Sequence, residues 1–162
     1  MLRSLTSVCL SCGIINQPLR VLYGRIMTFE IPVQVRFRDI DALGHVNNAV
    51  LVTYLEYARW HWWQTVLKGT KFESEGFLIA RIEVDYQNPI LLDADVRVGV
   101  SLKKIGHKSF TLHYHVRDHT TKMDLASATT VQVMFDFQEH KSKPISSQVR
   151  QCLEVLPLFS SE

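Results

Sequence analysis

Carboxylates, an imidazole and two amides are crowded into the segment RFRDIDALGHVNNAVLVTYLEYAR, residues 36–59. These side chains belong to Asp39, Asp41, His45, Asn47 and Asn48. Carboxylate and imidazole groups are the side chains that most often move protons in enzymes, and a carboxylate can also attack a carbonyl carbon. The same residue types are common in turns and helix caps. The segment is therefore a candidate catalytic loop, and the elements around it must decide its chemistry.

A long helix is predicted directly after this loop. Its apolar stripe recurs at a spacing of three and four residues and comprises Leu51, Tyr54, Leu55, Ala58 and Trp62, widened by Val52 and Val66. That spacing places the stripe on one helical face. Asn47 or Asn48 is a natural N-cap, and Lys68 with Gly69 is a natural C-terminus. The polar loop thus lies at the start of a helix whose apolar face belongs in the core.

Five stretches of alternating apolar and polar residues predict five strands. Their apolar faces are Ile31, Val33, Val35 and Phe37; Leu78, Ala80, Ile82, Val84 and Tyr86; Val96, Val98, Val100 and Leu102; Phe110, Leu112, Tyr114 and Val116; and Val131, Val133, Phe135 and Phe137. One-faced strands of this kind form antiparallel sheets. We expect an α+β fold in which a curled antiparallel sheet of about five strands wraps around one long central helix. A turn or short helix is expected after Lys143.

Composition and charge indicate one ordinary globular domain. The 162 residues are 46% hydrophobic and 21% charged, and no stretch approaches the roughly 18 consecutive apolar residues of a membrane span. The formal net charge is +2, but three arginines and no acid precede Glu30, so the rest of the chain is nearly neutral. A nearly neutral domain gives no electrostatic argument for nucleic acid binding.

The first 26 residues differ from the rest of the chain. They combine scattered arginines, serines and apolar residues without an acid, which is typical of an organelle presequence. Met27 stands directly before the first predicted strand, so an incorrectly assigned start codon is the other explanation of this leader. We expect a disordered leader over residues 1–26 and a single domain over residues 27–162. The expected location is cytoplasmic, or a mitochondrion or plastid if the leader is a presequence.

No metal site is expected. Cys9 and Cys12 form a C-x-x-C pair without a second pair of ligands. His113 and His115 point to one face of a strand and could hold zinc with a third ligand, but they also fit a polar outer face. Cys152 stands alone in the domain and cannot form an internal disulfide. The sequence contains no nucleophile elbow, phosphate loop or dinucleotide fingerprint.

The motif in the polar loop resembles that of a known family. RFRDIDALGHVNNAVLVTYLEYAR is similar to the signature of hot-dog fold acyl-CoA thioesterases of the 4-hydroxybenzoyl-CoA thioesterase type. The GHVNNA…YLEYAR part is closest to the branch that hydrolyses acyl-CoA, including long-chain acyl-CoA. The resemblance implies that Asp41 is the catalytic carboxylate, as general base or as nucleophile. It also implies that backbone N–H groups around Asn47 and Asn48 hold the oxyanion, since they have no partner within the helix and lie at its positive end.

Other residues of the motif have several possible roles. His45 could polarise the substrate or orient Asp41, or it could be a structural group. Asp39 is expected to be a structural hydrogen-bond partner. Glu56 matches a glutamate of the family, and an ion pair with Arg59 is the simpler interpretation.

The resemblance also implies where coenzyme A lies. The stretch LKKIGHKSF, residues 102–110, is similar to the basic segment that contacts the coenzyme phosphates in this family. Lys103, Lys104, His107 and Lys108 would meet those phosphates at a hairpin as mobile point charges, although a solvated basic turn has the same composition. No cofactor is expected, since coenzyme A is part of the substrate.

The family closes its open sheet edge by pairing with a second subunit, so a homodimer or a dimer of dimers is expected, with the substrate between subunits. Trp60, Trp62 and Trp63 are expected in the core or in an interface.

Two alternatives remain open. A hot-dog hydratase or dehydratase would use a histidine with a carboxylate, for which His45 and Asp41 could serve, and a non-catalytic protein would bind acyl-CoA without turnover. The acyl group, and the choice between coenzyme A and acyl carrier protein, do not follow from the sequence.

Overall fold

The computed structural model describes residues 29–66 and 75–154, which form strands β1 to β6, helices α1 and α2, and one 3-10 turn. In chain order these are β1 Phe29–Val33, the 3-10 turn Phe37–Asp39, α1 Asn48–Val66, β2 Gly76–Tyr86, β3 Val96–Ile105, β4 Ser109–Asp118, β5 Asp124–Asp136, β6 Lys141–Ser142 and α2 Ser147–Glu154. The predicted leader and the predicted helix end at Lys68 and Gly69 lie outside the described residues.

The strands form one antiparallel sheet in the order β1-β3-β4-β5-β2, with the short β6 on β5. Helix α1 packs against the inner face of this sheet, mainly over β3 and β1. The predicted α+β fold, an antiparallel sheet around one long helix, is confirmed, and α2 confirms the short helix expected after Lys143. Neither described helix combines the length and the apolar character that crossing a lipid bilayer requires.

Helix α1 begins at the two asparagines because Asn47 caps it. The Asn47 Oδ1 accepts the Ala49 N–H at 2.9 Å, and the Asn47 carbonyl accepts the Val50 and Leu51 N–H groups. The predicted apolar stripe is buried, with each of Leu51, Tyr54, Leu55, Ala58 and Trp62 at most 5% exposed. Trp63 joins them in the core, whereas Trp60 is 52% exposed.

Two of the predicted strand faces are wrong. A register shift between Ile79 and Arg81 divides β2, so Phe77 and Ile79 share the inner face with Ile82, Val84 and Tyr86, and Leu78 faces outward. The inner face of β5 carries Ala126, Ala128, Thr130, Gln132 and Met134, and the valines predicted there lie on the other side. The buried face of β5 therefore consists mainly of small and polar residues, which the apolar alternation of the sequence does not reveal.

The predicted face of the first strand is also too long. β1 ends at Val33, and the chain turns into the 3-10 turn in which Phe37 is 84% exposed. The predicted inner faces of β3 and β4 are correct, and every residue predicted there is at most 1% exposed.

Candidate active site

The loop between β1 and α1 is held together by Asp39. Its buried carboxylate accepts hydrogen bonds from the Arg36 N–H at 2.9 Å and the Tyr54 hydroxyl at 2.7 Å. Its carbonyl accepts the Asn47 N–H at 2.9 Å. Burial opposes ionisation of Asp39, but these hydrogen bonds and the charges of Arg36 and Arg38 bring its pKa below the usual range. The predicted structural role of Asp39 therefore has a geometric basis in the loop.

Burial and the hydrogen bond to ionised Asp39 raise the pKa of Tyr54 above its usual range. The phenol therefore stays protonated at neutral pH and remains a hydrogen-bond donor. This buried pair joins the loop to the second turn of α1.

Asp41 has a different environment from Asp39. Its side chain is 28% exposed and its Oδ1 accepts one hydrogen bond, from the Leu43 N–H at 2.8 Å. In the described part of the chain, no group donates a hydrogen bond to its Oδ2. The His45 Nδ1 lies 3.8 Å from the Asp41 Oδ1, which is longer than a hydrogen bond. Gly44 adopts a φ of +85°, which closes the turn from Asp41 to His45. Asp41 thus presents a carboxylate oxygen to which none of the described residues donates.

The backbone donors at the start of α1 are nearly all used. The N–H groups of Val46, Asn47 and Ala49 each donate to a protein oxygen. Within residues 29–66 and 75–154, no protein oxygen accepts the N–H of Asn48. This N–H belongs to the first helical residue, where the helix dipole is positive. The start of α1 therefore offers one backbone donor for an external acceptor.

A cleft of about 280 Å³ lies beside this donor. One wall is the start of α1, with His45, Asn48 and Leu51, and the other is the segment from Tyr86 to Ile90. The Val46 N–H donates to the Ile90 carbonyl at 2.9 Å and joins the two walls. No local signal in the sequence assigns the segment after β2 to the site, so its part in the site was not predicted.

The predicted basic residues lie far from Asp41 in the same subunit. The cleft is at the end of the sheet where β2 ends and β3 begins, because Tyr86 pairs with Ala126 of β5. Lys103, Lys104, His107 and Lys108 are exposed and lie at the opposite end, in and beside the hairpin between β3 and β4. The ten residues of β3 span about 30 Å. The structure therefore brings Asp41, His45, Asn47 and Asn48 together but leaves the cations apart from them.

His113 and His115 lie on the outer face of β4, as one interpretation of the sequence has it. Burial, together with the charges of Lys103 and His115, lowers the pKa of His113 to about 4, so this imidazole is neutral at pH 7. His115 contacts the Asp124 carboxylate at 2.6 Å. Among the residues that the structure describes, no group of three or more His, Cys, Asp or Glu side chains is arranged to hold a metal ion.

The helix residues Glu56 and Arg59 form only a loose pair. Their closest atoms are 4.0 Å apart, and Glu56 is exposed while Arg59 is buried. The Arg59 guanidinium instead reaches the Tyr114 hydroxyl at 3.4 Å, and that hydroxyl also bonds Thr130 at 3.0 Å. This buried network was not predicted, because nothing local in the sequence indicates that an arginine lies on the inner side of α1.

Residues 35–153 match the family model of the thioesterase-like superfamily. The chain belongs to this family. A thioesterase from Thermus thermophilus, crystallised with coenzyme A and zinc, is 35% identical and superimposes with a TM-score of 0.69, over 77% of this chain and 90% of that one. The predicted family, its hot-dog fold and the thioesterase class are confirmed.

Two relatives from bacteria are similar in sequence to this thioesterase-superfamily chain. The long-chain acyl-CoA thioesterase FadM of Escherichia coli is 25% identical over 127 residues, which are 77% of this chain and 96% of FadM. The uncharacterized protein YsmA of Bacillus subtilis is 28% identical over 87 residues, which cover 54% of this chain and 59% of YsmA.

Proposed function

We propose that this thioesterase hydrolyses acyl-CoA to a free acid and coenzyme A at the start of α1. One observation carries the proposal. Asn48, whose N–H donates to no oxygen of the described residues, lines a cleft. The Asp41 carboxylate, whose Oδ2 accepts from no donor in the same residues, lies next to the cleft residue His45. A thioester carbonyl bound there would meet a donor and a carboxylate together. The likeness to FadM favours long-chain acyl groups.

In the proposed reaction, the Asn48 N–H donates to the thioester oxygen as negative charge develops on it. Asp41 acts in one of two ways. As a general base it takes a proton from water, which attacks the carbonyl carbon. As a nucleophile it attacks that carbon itself, and water then hydrolyses the mixed anhydride. In both cases the bond to sulfur breaks and coenzyme A leaves. His45 borders the cleft beside the Asp41 carboxylate.

A homodimer formed through β2 is part of this proposal. β2 is an edge strand of the sheet. Ile82 and Tyr86 on its inner face are 40% and 50% exposed, because α1 lies mainly over β1 and β3, near the opposite edge. An exposed apolar edge strand of eleven residues is a template for pairing with another strand. A second copy paired antiparallel along β2 would close this edge.

Such a dimer would also bring the two separated sets of predicted residues toward each other. A two-fold axis across β2 reverses the strand direction, so the end of the sheet that holds Asp41 in one subunit lies beside the hairpin end of the other. We therefore propose that Lys103, Lys104, His107 and Lys108 of the second subunit bind the phosphates of coenzyme A. Exposed lysines suit this role as flexible point charges.

The test is thiol release from acyl-CoAs of short, long and aromatic acyl groups, with Asp41→Asn beside the wild type. We expect hydrolysis to fall about 100-fold or more in the variant, with unchanged melting temperature and oligomeric state. Asp93→Asn is the control, because Asp93 is an exposed loop aspartate. Equal turnover in wild type and Asp41→Asn would remove Asp41 from the reaction.

Two further outcomes would redirect the proposal. Hydration of crotonyl-CoA without thiol release would assign a hydratase, for which the neighbouring Asp41 and His45 would serve. Saturable acyl-CoA binding without turnover, repeated with acyl carrier protein thioesters, would assign a binding protein.

A further inference from the structure

Tyr86 connects the sheet to the first residue of α1. It is the last residue of β2, and its hydroxyl donates to the Asn48 carbonyl at 3.1 Å. Its neighbours on the inner face of β2, Ile82 and Val84, are apolar. Tyr86 thus places a polar group where the pattern of the strand calls for an apolar one, and that group reaches across the cleft to the helix.

The position of Asn48 makes this contact important. The first turn of a helix is the part that frays most easily, because its N–H groups have no partners within the helix. Catalytic donors must be held within about 0.5 Å of their working position. The Val46 N–H donates to the Ile90 carbonyl and holds the chain before Asn48. The Tyr86 hydroxyl donates to the carbonyl of Asn48 itself. Both holding groups lie between Tyr86, the last residue of β2, and Ile90, so one wall of the cleft supplies both contacts.

We infer that Tyr86 is a positioning residue for thioester hydrolysis. Its hydroxyl keeps the first peptide groups of α1 in place, so that the Asn48 N–H points at the thioester oxygen when the substrate is bound. This inference rests on the proposed function. Tyr86 itself takes no part in proton transfer, since its hydroxyl is engaged with the Asn48 carbonyl.

The experiment compares Tyr86→Phe with Tyr57→Phe in the 162-residue chain. The two tyrosines are 50% and 48% exposed, and Tyr57 lies on the outer side of α1, where its ring contacts His61. We expect Tyr86→Phe to lower kcat about three- to tenfold, as loss of one hydrogen bond at the site predicts. KM should stay within about twofold, because the aromatic ring of the cleft wall remains. Tyr57→Phe should leave both constants unchanged.

Steady-state kinetics and thermal melts separate the possible roles. A lower melting temperature with unchanged kcat would show that Tyr86 only stabilises the fold, and would overturn the inference. A raised KM with unchanged kcat would show that Tyr86 binds substrate, and would also overturn it. Lower kcat in Tyr86→Phe but not in Tyr57→Phe supports it.

Amide hydrogen exchange supplies a measurement that does not depend on turnover. The Val50 and Leu51 N–H groups, which bond the Asn47 carbonyl in the first turn, should exchange faster in Tyr86→Phe than in Tyr57→Phe. Equal exchange in the two variants would overturn the inference even if kcat falls. If the wild type hydrolyses no thioester, the proposed function fails, and the positioning role falls with it whatever the exchange rates show.

Discussion

The two ends of the sheet are built from different interactions. At the end where α1 begins, backbone groups and polar side chains around Asp39 and Asn48 hold an open cleft. At the hairpin end, aromatic rings fill the core, and the Trp63 and Phe110 rings stack with centroids 5.7 Å apart. Exposed cations such as Lys104 lie at that same end. The difference indicates that directed hydrogen bonds position the proposed catalytic groups, while non-directional apolar burial at the far end supplies stability.

The largest expected effect comes from the aromatic end. Phe110→Ala should lower the free energy of unfolding by about 3–5 kcal/mol, because Phe110 is 1% exposed and its removal leaves a cavity. Denaturant unfolding measures the change, and turnover per folded molecule should be unchanged. Phe137→Ala, at a residue that is 49% exposed, is the control and should cost much less. A loss of turnover as large as the loss of stability would mean that the two ends do not divide these tasks.

Asp39→Asn tests whether hydrogen bonds at the cleft end also contribute stability. We expect it to cost about 1–3 kcal/mol, because charge-assisted hydrogen bonds to the Arg36 N–H and the Tyr54 hydroxyl are weakened. Turnover should fall as well, since the Asp39 loop holds Asn47. Tyr54→Phe removes only the hydrogen bond from the phenol to Asp39. The losses of stability and of turnover should therefore both be smaller than in Asp39→Asn.

The pH dependence of stability follows from the same residue. The pKa of Asp39 is lower in the folded protein than the ordinary value of 3.8. The Asp39 carboxylate therefore contributes fully to the free energy of unfolding when the pH is above that value. The contribution is lost as the pH falls below 3.8 and through the folded pKa. Unfolding of wild type and Asp39→Asn at about pH 7 and about pH 3 should therefore show a difference that shrinks in acid. A difference that stays constant would mean that the charge of Asp39 contributes nothing.

The smallest expected effect concerns the cations at the hairpin end. Lys104→Gln with Lys108→Gln should raise KM for acyl-CoA about tenfold at low salt and less at high salt, since exposed charges are screened. Stability and kcat should change little. An acyl thioester that lacks the nucleotide and its phosphates is the control substrate. Its KM should be the same for the wild type and for the variant.

Mixing this hairpin variant with Asp41→Asn tests whether the two ends act across subunits. A mixed dimer would contain one site with both the wild-type Asp41 and a wild-type hairpin, so hydrolysis with the low KM should return. Activity that stays at the level of the separate variants would show that the hairpin does not serve the neighbouring subunit.

Much of the fold and part of the site follow from local sequence patterns. The three-four spacing of α1 and the alternation in β3 and β4 predicted their buried faces, because one long apolar face per element determines which side enters the core. The loop motif brought Asp41, His45 and the two asparagines to the start of α1, since all of them lie within one short segment. Neighbours in the chain supply these signals, so no knowledge of distant contacts is needed.

Only the tertiary structure decided the rest. Which face of β5 is buried depends on its register with the buried face of β4, and which β2 residues point inward depends on the register shift after Ile79. Tyr86 became part of the site because β2 ends beside the start of α1, a contact between residues 38 positions apart. The separation of Lys104 from Asp41 follows from the length and direction of β3. The sequence by itself determined the elements and their local chemistry, and long-range packing determined which groups meet, because distances across a sheet are set by strand order and register rather than by spacing along the chain.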